Sequence, residues 1–489
     1  RVASRGLGDV YKRQHPSEKL ISQWHELSRR MEYVFETNSA LSEETNSQAN
    51  YYFGSSYQDG YILSPSSIMV DKLPLKKGLS LLVHADPTFM AMAKLKKNFE
   101  IMFGVNIQNR ALSIDRLREE ILINATRVQS KYDIIACDLP WFGEMADAGH
   151  FIALDGLMNE TGFEAADFNK EAMASSRFKG QQYGIPIQTT PELLVCRQDV
   201  FQEMGLKYPD TTQELLEAAY AIQRSSIRMK AIAWNAARGT PLGHSFLFSM
   251  GSFGQPIINL RKVENGFDAE WPKGEELRPM FVTDAARDVC DFFAELISLS
   301  PQNILNMSWF ERARAYANGE VGMAFTATLL SPMFEFDRMS PAFGKSKYVP
   351  LPAGNAGRQI APVGGYALAI PKNVPSQRVA HIWSAIQEFS SAKATKIFIE
   401  NGSLVSPRNS VSKDKEVQKV SFVIGVIDDL AGADILKMWP RPPIPEISHL
   451  ISIAGTEIHD FLSGTINRET ALMNAQNRAD SIMRSKGYY

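Results

Sequence analysis

The chain has 489 residues, of which 44% are apolar and 22% charged, and its formal net charge is −2. This length exceeds that of one ordinary hydrophobic core and indicates two or three domains. The balanced charge gives no support for a nucleic-acid partner, which would require a basic surface. No run approaches the roughly 20 consecutive apolar residues of a membrane-spanning helix. We therefore expect a soluble globular protein.

Three cysteines, Cys137, Cys196 and Cys290, are widely spaced and odd in number. They predict neither a metal cluster nor a disulfide framework, and we interpret each as a small buried apolar residue. The histidines, His84 and His244 among them, have no acid or thiol at a metal-ligand spacing, so we assign them to core or surface. We expect no metal and no cofactor.

Two segments precede the main body. Residues 1–14, RVASRGLGDVYKRQ, are basic and lack the apolar core of a signal peptide, so we interpret them as artefactual sequence that replaces the true N-terminus. Residues 15–77 contain an amphipathic helix around Leu20–Phe35 and a run, YYFGSSYQDGYIL, that could form a hairpin. A helix and hairpin could end a winged-helix DNA-binding unit, although the acidic residues here offset the basic ones. The role of this extension stays open.

The main body begins with strands and helices in alternation. Leu79–His84 is a strand candidate, and Thr88–Phe103 has apolar residues at spacings of three and four that predict a helix ended by Gly104. This alternation is typical of right-handed crossovers and a parallel sheet, and it indicates an α/β first lobe. The next strand, helix and strand candidates are Val105–Asn109, Asp115–Gln129 and Tyr132–Cys137.

An acid and an indole stand together where the third of these strands ends. Asp138 follows the apolar run Tyr132–Cys137, Pro140 suits a first helical turn, and Gly149 is placed to end the short helix. Ligands of open α/β sheets bind beyond the carboxyl ends of the strands. Asp138 alone could cap the helix and Trp141 alone could cover the sheet edge, but the pair favours a ligand site.

A second organising segment, Phe178–Ala219, has extended pieces punctuated by glycine and proline. Thr211 and Glu214 form a capping box that predicts the start of a helix. The extended run Ile185–Leu194 is long enough to leave one lobe and enter another.

Several motifs now stand in a recognisable order. A YDII strand ends in Asp-x-x-Trp, and GHFIALD, KGQQYGIP and an Arg-x-Asp-x-Phe segment with Gly-Leu follow it. This order resembles the family 1 extracellular solute-binding proteins of bacterial ABC transporters, the maltose-binding-protein-like group. The resemblance covers about residues 78–489 and continues at Ala317–Phe325, Pro350–Ile370, Val405–Asn409 and Pro442–Met483, the last resembling the family's paired C-terminal helices.

The resemblance implies a type II periplasmic-binding-protein fold, in which two α/β lobes are built from discontinuous stretches of chain. Lobe 1 would comprise residues 78–187 and 364–405, and lobe 2 residues 188–363 and 406–489. The chain would cross between lobes near Ile185–Gln188, Pro362–Gly364 and Ser403–Pro407. Residues 361–365 and 402–407 are non-helical breaks, as such crossings require.

Sequence motifs for catalysis are missing. The chain has no G-x-x-x-x-G-K-[ST], H-E-x-x-H or strand-linked G-x-G-x-x-G, and Leu247 stands where a nucleophile elbow that starts at Gly243 needs its closing glycine. We therefore predict that the protein is not an enzyme. A pair of carboxylates in the cleft would be invisible at this level and would favour a carbohydrate-active enzyme instead.

A sugar offers apolar faces to aromatic rings and hydroxyls to polar side chains. The resemblance places ligand contacts near Asp138 to Trp141, Gln188, Trp234, Gly365, Tyr366 and Arg408. Residue type adds Thr189 and Trp309, the latter because it precedes a helix of the second lobe, where it could also be core. Trp383 lies at helical spacing from Ile386 and is assigned to core.

The sequence thus predicts a monomeric solute receptor of an ABC importer that binds a mono- or oligosaccharide between two closing lobes. Its macromolecular partner would be a membrane-embedded permease, and its location periplasmic or extracellular and membrane-associated, with the signal peptide missing from this sequence. A cytoplasmic sugar-sensing regulator is the alternative if the extension at residues 15–77 completes a DNA-binding domain, the one case in which we expect nucleic-acid binding.

Overall fold

The computed structural model describes residues 72–225 and 228–489. Residues 1–14, which we interpret as artefactual, and the helix and hairpin expected in residues 15–77 lie outside these ranges. The strands, in chain order, are β1 (Leu79–His84), β2 (Ile107–Leu112), β3 (Ile134–Asp138), β4 (Arg177–Phe178), β5 (Gln181–Gln182), β6 (Ile185–Pro186), β7 (Thr190–Arg197), β8 (Lys230–Ala233), β9 (Lys262–Val263), β10 (Gly266–Phe267), β11 (Val321–Ala327), β12 (Ser346–Val349), β13 (Ala361–Gly364), β14 (Tyr366–Ala369) and β15 (Leu436–Lys437).

Helices surround the strands and form most of the outer surface. Their bounds are Pro87–Lys94, Lys96–Phe103, Ile114–Ala125, Phe142–Asp147, Asp155–Thr161, Lys170–Ser175, Gln198–Glu203, Thr212–Arg224, Thr240–Ser252, Asp284–Leu299, Trp309–Ala317, Pro332–Glu335, Ser376–Phe389, Ala392–Glu400, Asn409–Ser412, Lys415–Val420, Phe422–Gly432, Ile447–Leu462 and Arg468–Ser485. Short 3₁₀ turns lie at Leu139–Trp141, Ala165–Asp167, Gly274–Leu277, Ile304–Asn306 and Thr328–Leu330.

The first sheet has the strand order β2-β1-β3-β14-β6. β1 pairs in parallel with both β2 and β3, as the alternation of strands and helices predicts. β14 is antiparallel to β3, so the sheet is mixed and the expectation of a purely parallel sheet is wrong. The reason is topological: β14 is not reached by a helical crossover but directly from β13, which belongs to the other sheet.

The second sheet has the order β15-β13-β7-β11-β8, with β12 also pairing with β7. β6 and β7 are consecutive in the chain but belong to different sheets, and so are β13 and β14. The chain therefore crosses between the lobes at residues 187–189 and again at Gly365. Both crossings lie close to those that the family resemblance implies, at Ile185–Gln188 and Pro362–Gly364, and the molecule is a two-lobed α/β protein.

The third crossing lies later than expected. The Pro407 carbonyl accepts a hydrogen bond from the Asn169 amide, and the Arg408 side chain donates to Asp167, so both residues lie against the first lobe. The helices Asn409–Ser412 and Lys415–Val420 then pack on Ala392–Glu400. The chain reaches the second sheet only at β15.

Local signals of helix and strand agree closely with the structure. The capping box of Thr211 and Glu214 is present, with the Glu214 amide 3.2 Å from the Thr211 hydroxyl. One helix expected at Thr88–Phe103 is divided in two at Leu95, and Gly104 ends the second part at φ 65°. The three cysteines and Trp383 are buried, which confirms their assignment to the core.

Candidate functional site

A cavity of about 160 Å³ lies between the two lobes. The first lobe contributes residues at the carboxyl ends of β1, β2 and β3 and at the start of β14. The second lobe contributes the start of β7, the end of β11, the middle of the helix Thr240–Ser252 and the start of the helix Trp309–Ala317. Aromatic and aliphatic side chains form most of the wall, as in small-molecule sites generally. The lining residues are His84, Ala85, Ser113, Ile114, Asp138, Thr190, Glu192, His244, Phe248, Trp309, Phe310, Ala327, Leu329, Leu330, Pro362, Gly364, Gly365, Tyr366 and Arg441.

Asp138 is the acidic residue of the first-lobe face. It lies opposite Tyr366 in the ladder between β3 and β14, at the edge of the sheet that faces the cavity. Its side chain makes no capping hydrogen bond to the 3₁₀ turn that follows, so it is not a helix cap. Removal from water raises the pKa of this carboxyl to about 6, although Arg441 and His84 oppose the rise. Asp138 is thus a carboxyl that titrates near neutral pH inside the cavity.

Hydrogen bonds and stacking fix the rest of the first-lobe face. His84 stacks on Tyr366 with ring centroids 4.8 Å apart, and its Nδ1 lies 3.1 Å from Asp86. Asp86 also accepts a hydrogen bond from the side-chain Nε2 of Gln188 at 2.9 Å. It caps the helix Pro87–Lys94 by accepting a second hydrogen bond from the backbone N–H of Thr88. Asp86 therefore links Gln188, in the first crossing segment, to His84, in the cavity lining.

The second-lobe face contains a buried ion pair. Arg312 donates two hydrogen bonds to Glu192, the second at 3.0 Å, and its guanidinium lies 5.1 Å from the centroid of the Trp309 ring. Such a bidentate pair holds both carboxylate oxygens in one geometry. Arg312 lies behind the wall, whereas Glu192 and Trp309 line the cavity. The arginine therefore positions a carboxylate and an indole at once.

His244 and Arg441 complete the polar lining. His244 lies on the helix Thr240–Ser252, and its Nδ1 is 2.8 Å from the Thr240 carbonyl oxygen. Arg441 donates to the Val363 carbonyl at 2.9 Å and lies over the Phe248 ring. Burial lowers the pKa of Arg441, and the negative charge of neighbouring acids opposes that shift.

Four of the nine predicted ligand residues line this cavity: Asp138, Trp309, Gly365 and Tyr366. Gly365 has φ 118°, and a β-carbon there would lie 3.0 Å from Gln188 Cβ, so the crossing requires glycine. Trp309 is the candidate for which core packing was the alternative. Its place in the wall favours the ligand interpretation.

The other five predicted residues lie elsewhere. Trp141 is buried and does not line the cavity, and the turn that contains it packs on the helix Ile447–Leu462. Trp234 is fully buried, with its indole N–H donating to Ser300 at 3.1 Å and its ring against Phe293. Arg408 stacks on Phe168 of the first lobe.

Gln188 and Thr189 lie at the first crossing rather than in the cavity wall. Both are fully buried, and the Gln188 Oε1 and Thr189 Oγ1 atoms have no hydrogen-bond partner among the described residues. Their place at the junction of the lobes, and not solute contact, is what the geometry supports.

Sequence reasoning missed four acidic or basic residues of the lining: His84, Glu192, His244 and Arg441. The motif Gly243-His244-Ser245 lies inside a helix, so it cannot form a nucleophile elbow. Glu192 lies in the run Ile185–Leu194, in which Gln188 and Thr189 were chosen as ligand candidates instead. Arg441 follows a Trp-Pro pair and precedes two prolines, a pattern that indicates a break in structure and nothing about a ligand.

Two kinds of site are not found in residues 72–225 and 228–489. No three histidine, cysteine, aspartate or glutamate side chains are grouped closely enough to hold a metal ion. No helix in these ranges is long and apolar enough to span a membrane.

Solved structures match this fold over their whole length. A solute-binding protein of an ABC transporter from Agrobacterium radiobacter K84, in complex with ribitol, aligns with 84% of this chain and 100% of its own, at 20% identity and a TM-score of 0.74. Maltose-bound T. maritima MalE3 aligns with 83% of this chain and 99% of its own, at 20% identity and a TM-score of 0.71. The fold is therefore that of the solute-binding proteins of ABC transporters.

A third structure, the solute-binding protein of Thermotoga lettingae TMO bound with α-D-tagatose, has a TM-score of 0.71 at 19% identity and covers 83% of this chain and 100% of its own. At such identities the likeness establishes the fold and not the solute. The comparison with curated proteins gave no match. The family model described as bacterial extracellular solute-binding protein matches residues 86–396, and the chain belongs to that family.

Proposed function

We propose that this protein is the receptor of an ABC importer and that it binds a neutral sugar or polyol in the interlobe cavity. The observation that supports this most directly is that both lobes line one cavity with aromatic walls and a few polar groups. Rings such as Trp309 and Tyr366 suit the apolar faces of a sugar, and Asp138, His244 and Arg441 suit its hydroxyls. The structural relatives bind ribitol, maltose and tagatose.

The charges in the cavity favour an uncharged solute. Glu192 is already matched by Arg312, and Arg441 has Asp138 close enough for each to influence the pKa of the other. An ionic solute would leave one of these buried charges without compensation, which is costly in a cavity of low polarity. A hydroxyl can accept from arginine and donate to a carboxylate at the same time.

The small volume of the cavity favours a small solute. At about 160 Å³ it lies below the range of roughly 300 to 1,000 Å³ that is usual for drug-sized ligands. One sugar ring or an open-chain polyol suits this space better than an oligosaccharide, unless the lobes separate further around a longer chain. We therefore expect ribitol or tagatose to bind more tightly than maltose.

The lobe boundaries proposed from sequence need one change. The first lobe would comprise residues 78–187 and 364–405, and the second residues 188–363 and 406–489, but the contacts of Pro407 and Arg408 favour placing residues 406–420 with the first lobe. The permease would then bind a surface formed by both lobes. By family membership we place the protein outside the cytoplasm.

Asp138 and Glu192 together raise a second candidate function, since glycoside hydrolases use two carboxyl groups in one cleft. One group would have to act as base or nucleophile with a free oxygen. Both oxygens of Glu192 accept hydrogen bonds from Arg312, so Glu192 lacks that freedom. The geometry therefore favours binding without turnover.

Calorimetry of the purified full chain with ribitol, α-D-tagatose and maltose, run beside a product assay, tests the proposal. We expect saturable heat with at least one of the three and no product. Small-angle scattering should show compaction at saturation, because each lobe supplies part of the contacts. Sugar consumed by the protein alone would overturn the receptor assignment.

A further inference from the structure

His244 differs from the other polar groups of the cavity because its hydrogen-bonding state is fixed by its own helix. Its Nδ1 lies 2.8 Å from the Thr240 carbonyl oxygen, four residues earlier. A carbonyl oxygen only accepts, so Nδ1 must carry the proton that it donates. The tautomer of this ring is thus set by the backbone.

The surroundings keep the ring neutral. Burial lowers the pKa of His244 to about 3, and the positive charges of Arg441 and Arg312 act in the same direction, while the Thr240 carbonyl opposes them. Trp309 packs edge-on against the ring at 5.0 Å between centroids, and the Phe248 ring lies 5.8 Å away. With Nδ1 protonated and the ring neutral, Nε2 carries a lone pair.

None of the described residues donates a hydrogen bond to that Nε2, although the ring lines the cavity. We propose that His244 is a specificity-determining residue, whose Nε2 accepts a hydrogen bond from one particular hydroxyl of the solute. This inference rests on the proposed binding of a sugar or polyol. It deepens that proposal by requiring a donor, and not merely a polar atom, at one position of the solute.

The requirement for a donor has a distinctive consequence. Replacing that hydroxyl by hydrogen, by fluorine or by a methoxy group removes the donor in every case. A fluorine keeps the size and the accepting character of the hydroxyl, so an arginine could still tolerate it, but a lone pair on Nε2 would repel it. Loss of a hydrogen bond of this kind typically weakens binding by about tenfold or more.

The experiment measures Kd by calorimetry for ribitol and α-D-tagatose and for their monodeoxy and monofluoro analogues. In the wild-type protein we expect one position at which both analogues bind about tenfold more weakly than the parent. In His244→Phe, which keeps an aromatic ring but no lone pair, the parent should weaken by a similar factor and the analogues at that position should not weaken further. His244→Gln offers a carbonyl acceptor and should recover part of the discrimination.

His459→Phe is the matched control. His459 is a half-buried histidine that, like His244, has one ring nitrogen near a backbone carbonyl, 3.2 Å from the Leu305 oxygen, but it does not line the cavity. We expect the wild-type pattern of analogue binding in this variant. Protonation of Asp138 near pH 6 should lower the affinities of parent and analogue alike, so the ratio between them should stay constant from pH 5 to pH 8, because a neutral His244 has no proton to gain in that range.

Each other outcome has a defined meaning. If His244→Phe weakens the parent and every analogue by the same factor, or leaves the discrimination in place, His244 only packs and the inference is wrong. Discrimination that disappears as the pH falls through about 6.5 would contradict the neutral ring. Failure of ribitol, α-D-tagatose and maltose to bind the wild-type protein would overturn the proposed function and this inference with it. The contrary results with His244→Phe or with pH would overturn the inference alone.

Discussion

Asp138 and Glu192 line the same cavity from opposite lobes, but their surroundings differ. Glu192 has a buried arginine that donates to both of its oxygens, whereas Asp138 makes no ion pair within 4 Å among the described residues. The first carboxylate is satisfied before any solute arrives. The second is buried at a cost in stability that a solute could offset. The comparison teaches that a carboxylate in a cavity can serve as wall or as ligand, depending on its partners.

The largest effect is expected from removing Arg312, the partner of the Glu192 carboxylate. Arg312→Met should leave Glu192 buried without a counter-charge and destabilise the fold by about 3 to 5 kcal/mol, measured by urea unfolding. The double variant Glu192→Leu with Arg312→Met should recover most of this loss, because it removes both charges. A single variant as stable as the wild type would show that the two carboxylates are not held differently.

Trp234→Ala sharpens the contrast between core and cavity. Trp234 is fully buried and away from the cavity, so its removal should cost about 3 to 5 kcal/mol of stability without changing the affinity of the molecules that remain folded. Trp309→Ala should have the opposite profile, a small change in thermal unfolding and roughly a tenfold loss of solute affinity. An affinity loss for Trp234→Ala measured well below its unfolding temperature would return that residue to the binding site.

Asp138→Asn tests whether the Asp138 carboxylate binds the solute. The variant keeps one acceptor but loses the charge, and we expect solute affinity to fall by about 1.5 to 3 kcal/mol, or one to two decades in Kd at pH 7.5. In the wild type, affinity should also fall as the pH drops through about 6, when the carboxyl gains a proton, and this dependence should be missing in the variant. Equal pH profiles for the two proteins would contradict a role for the carboxylate.

A further prediction concerns how the stability of the fold depends on pH. The pKa of Asp138 is raised from 3.8 to about 6 in the fold, so the folded state binds a proton more tightly than the unfolded state does. Its contribution is therefore fully present below about pH 4 and is lost as the pH rises through 6. Between pH 4 and pH 7.5, Asp138→Asn should gain up to about 2 to 3 kcal/mol relative to the wild type, measured by chemical unfolding. A constant difference between the two proteins across this range would refute the raised pKa.

Much of the secondary structure could be predicted because its signals are local. Apolar runs and a capping box predict strands and helices, whereas the two-lobed fold and its crossings near Gln188 and Gly365 were implied by the family resemblance and supported by the glycine and proline breaks. The antiparallel insertion of β14 was missed because pairing direction depends on where the chain comes from, which periodicity does not record. The third crossing was placed too early for a similar reason, since the break at residues 402–407 does not reveal which lobe the chain joins.

The candidate site was predicted only in part. Asp138 lies at the carboxyl end of β3, where the general rule for α/β sheets applies. Gly365 and Tyr366 lie at the start of β14 and were predicted from the family resemblance alone. Trp234 has the same residue type as Trp309, and only burial separates core from wall. His244 and Arg441 enter the cavity from a helix face and from an irregular segment, so their convergence depends on the packing of distant elements.

The position of Trp309 gives the protein its own optical reporter. Its indole lies in the cavity wall beside Arg312 and His244, so a solute that fills the cavity changes the polarity and the quenching groups around it. The other tryptophans of the described residues do not line the cavity and should contribute a steady background. Occupancy could therefore be followed by intrinsic fluorescence without a dye, and the signal should vanish in Trp309→Phe. The other tryptophans are Trp141, Trp234, Trp271, Trp383 and Trp439.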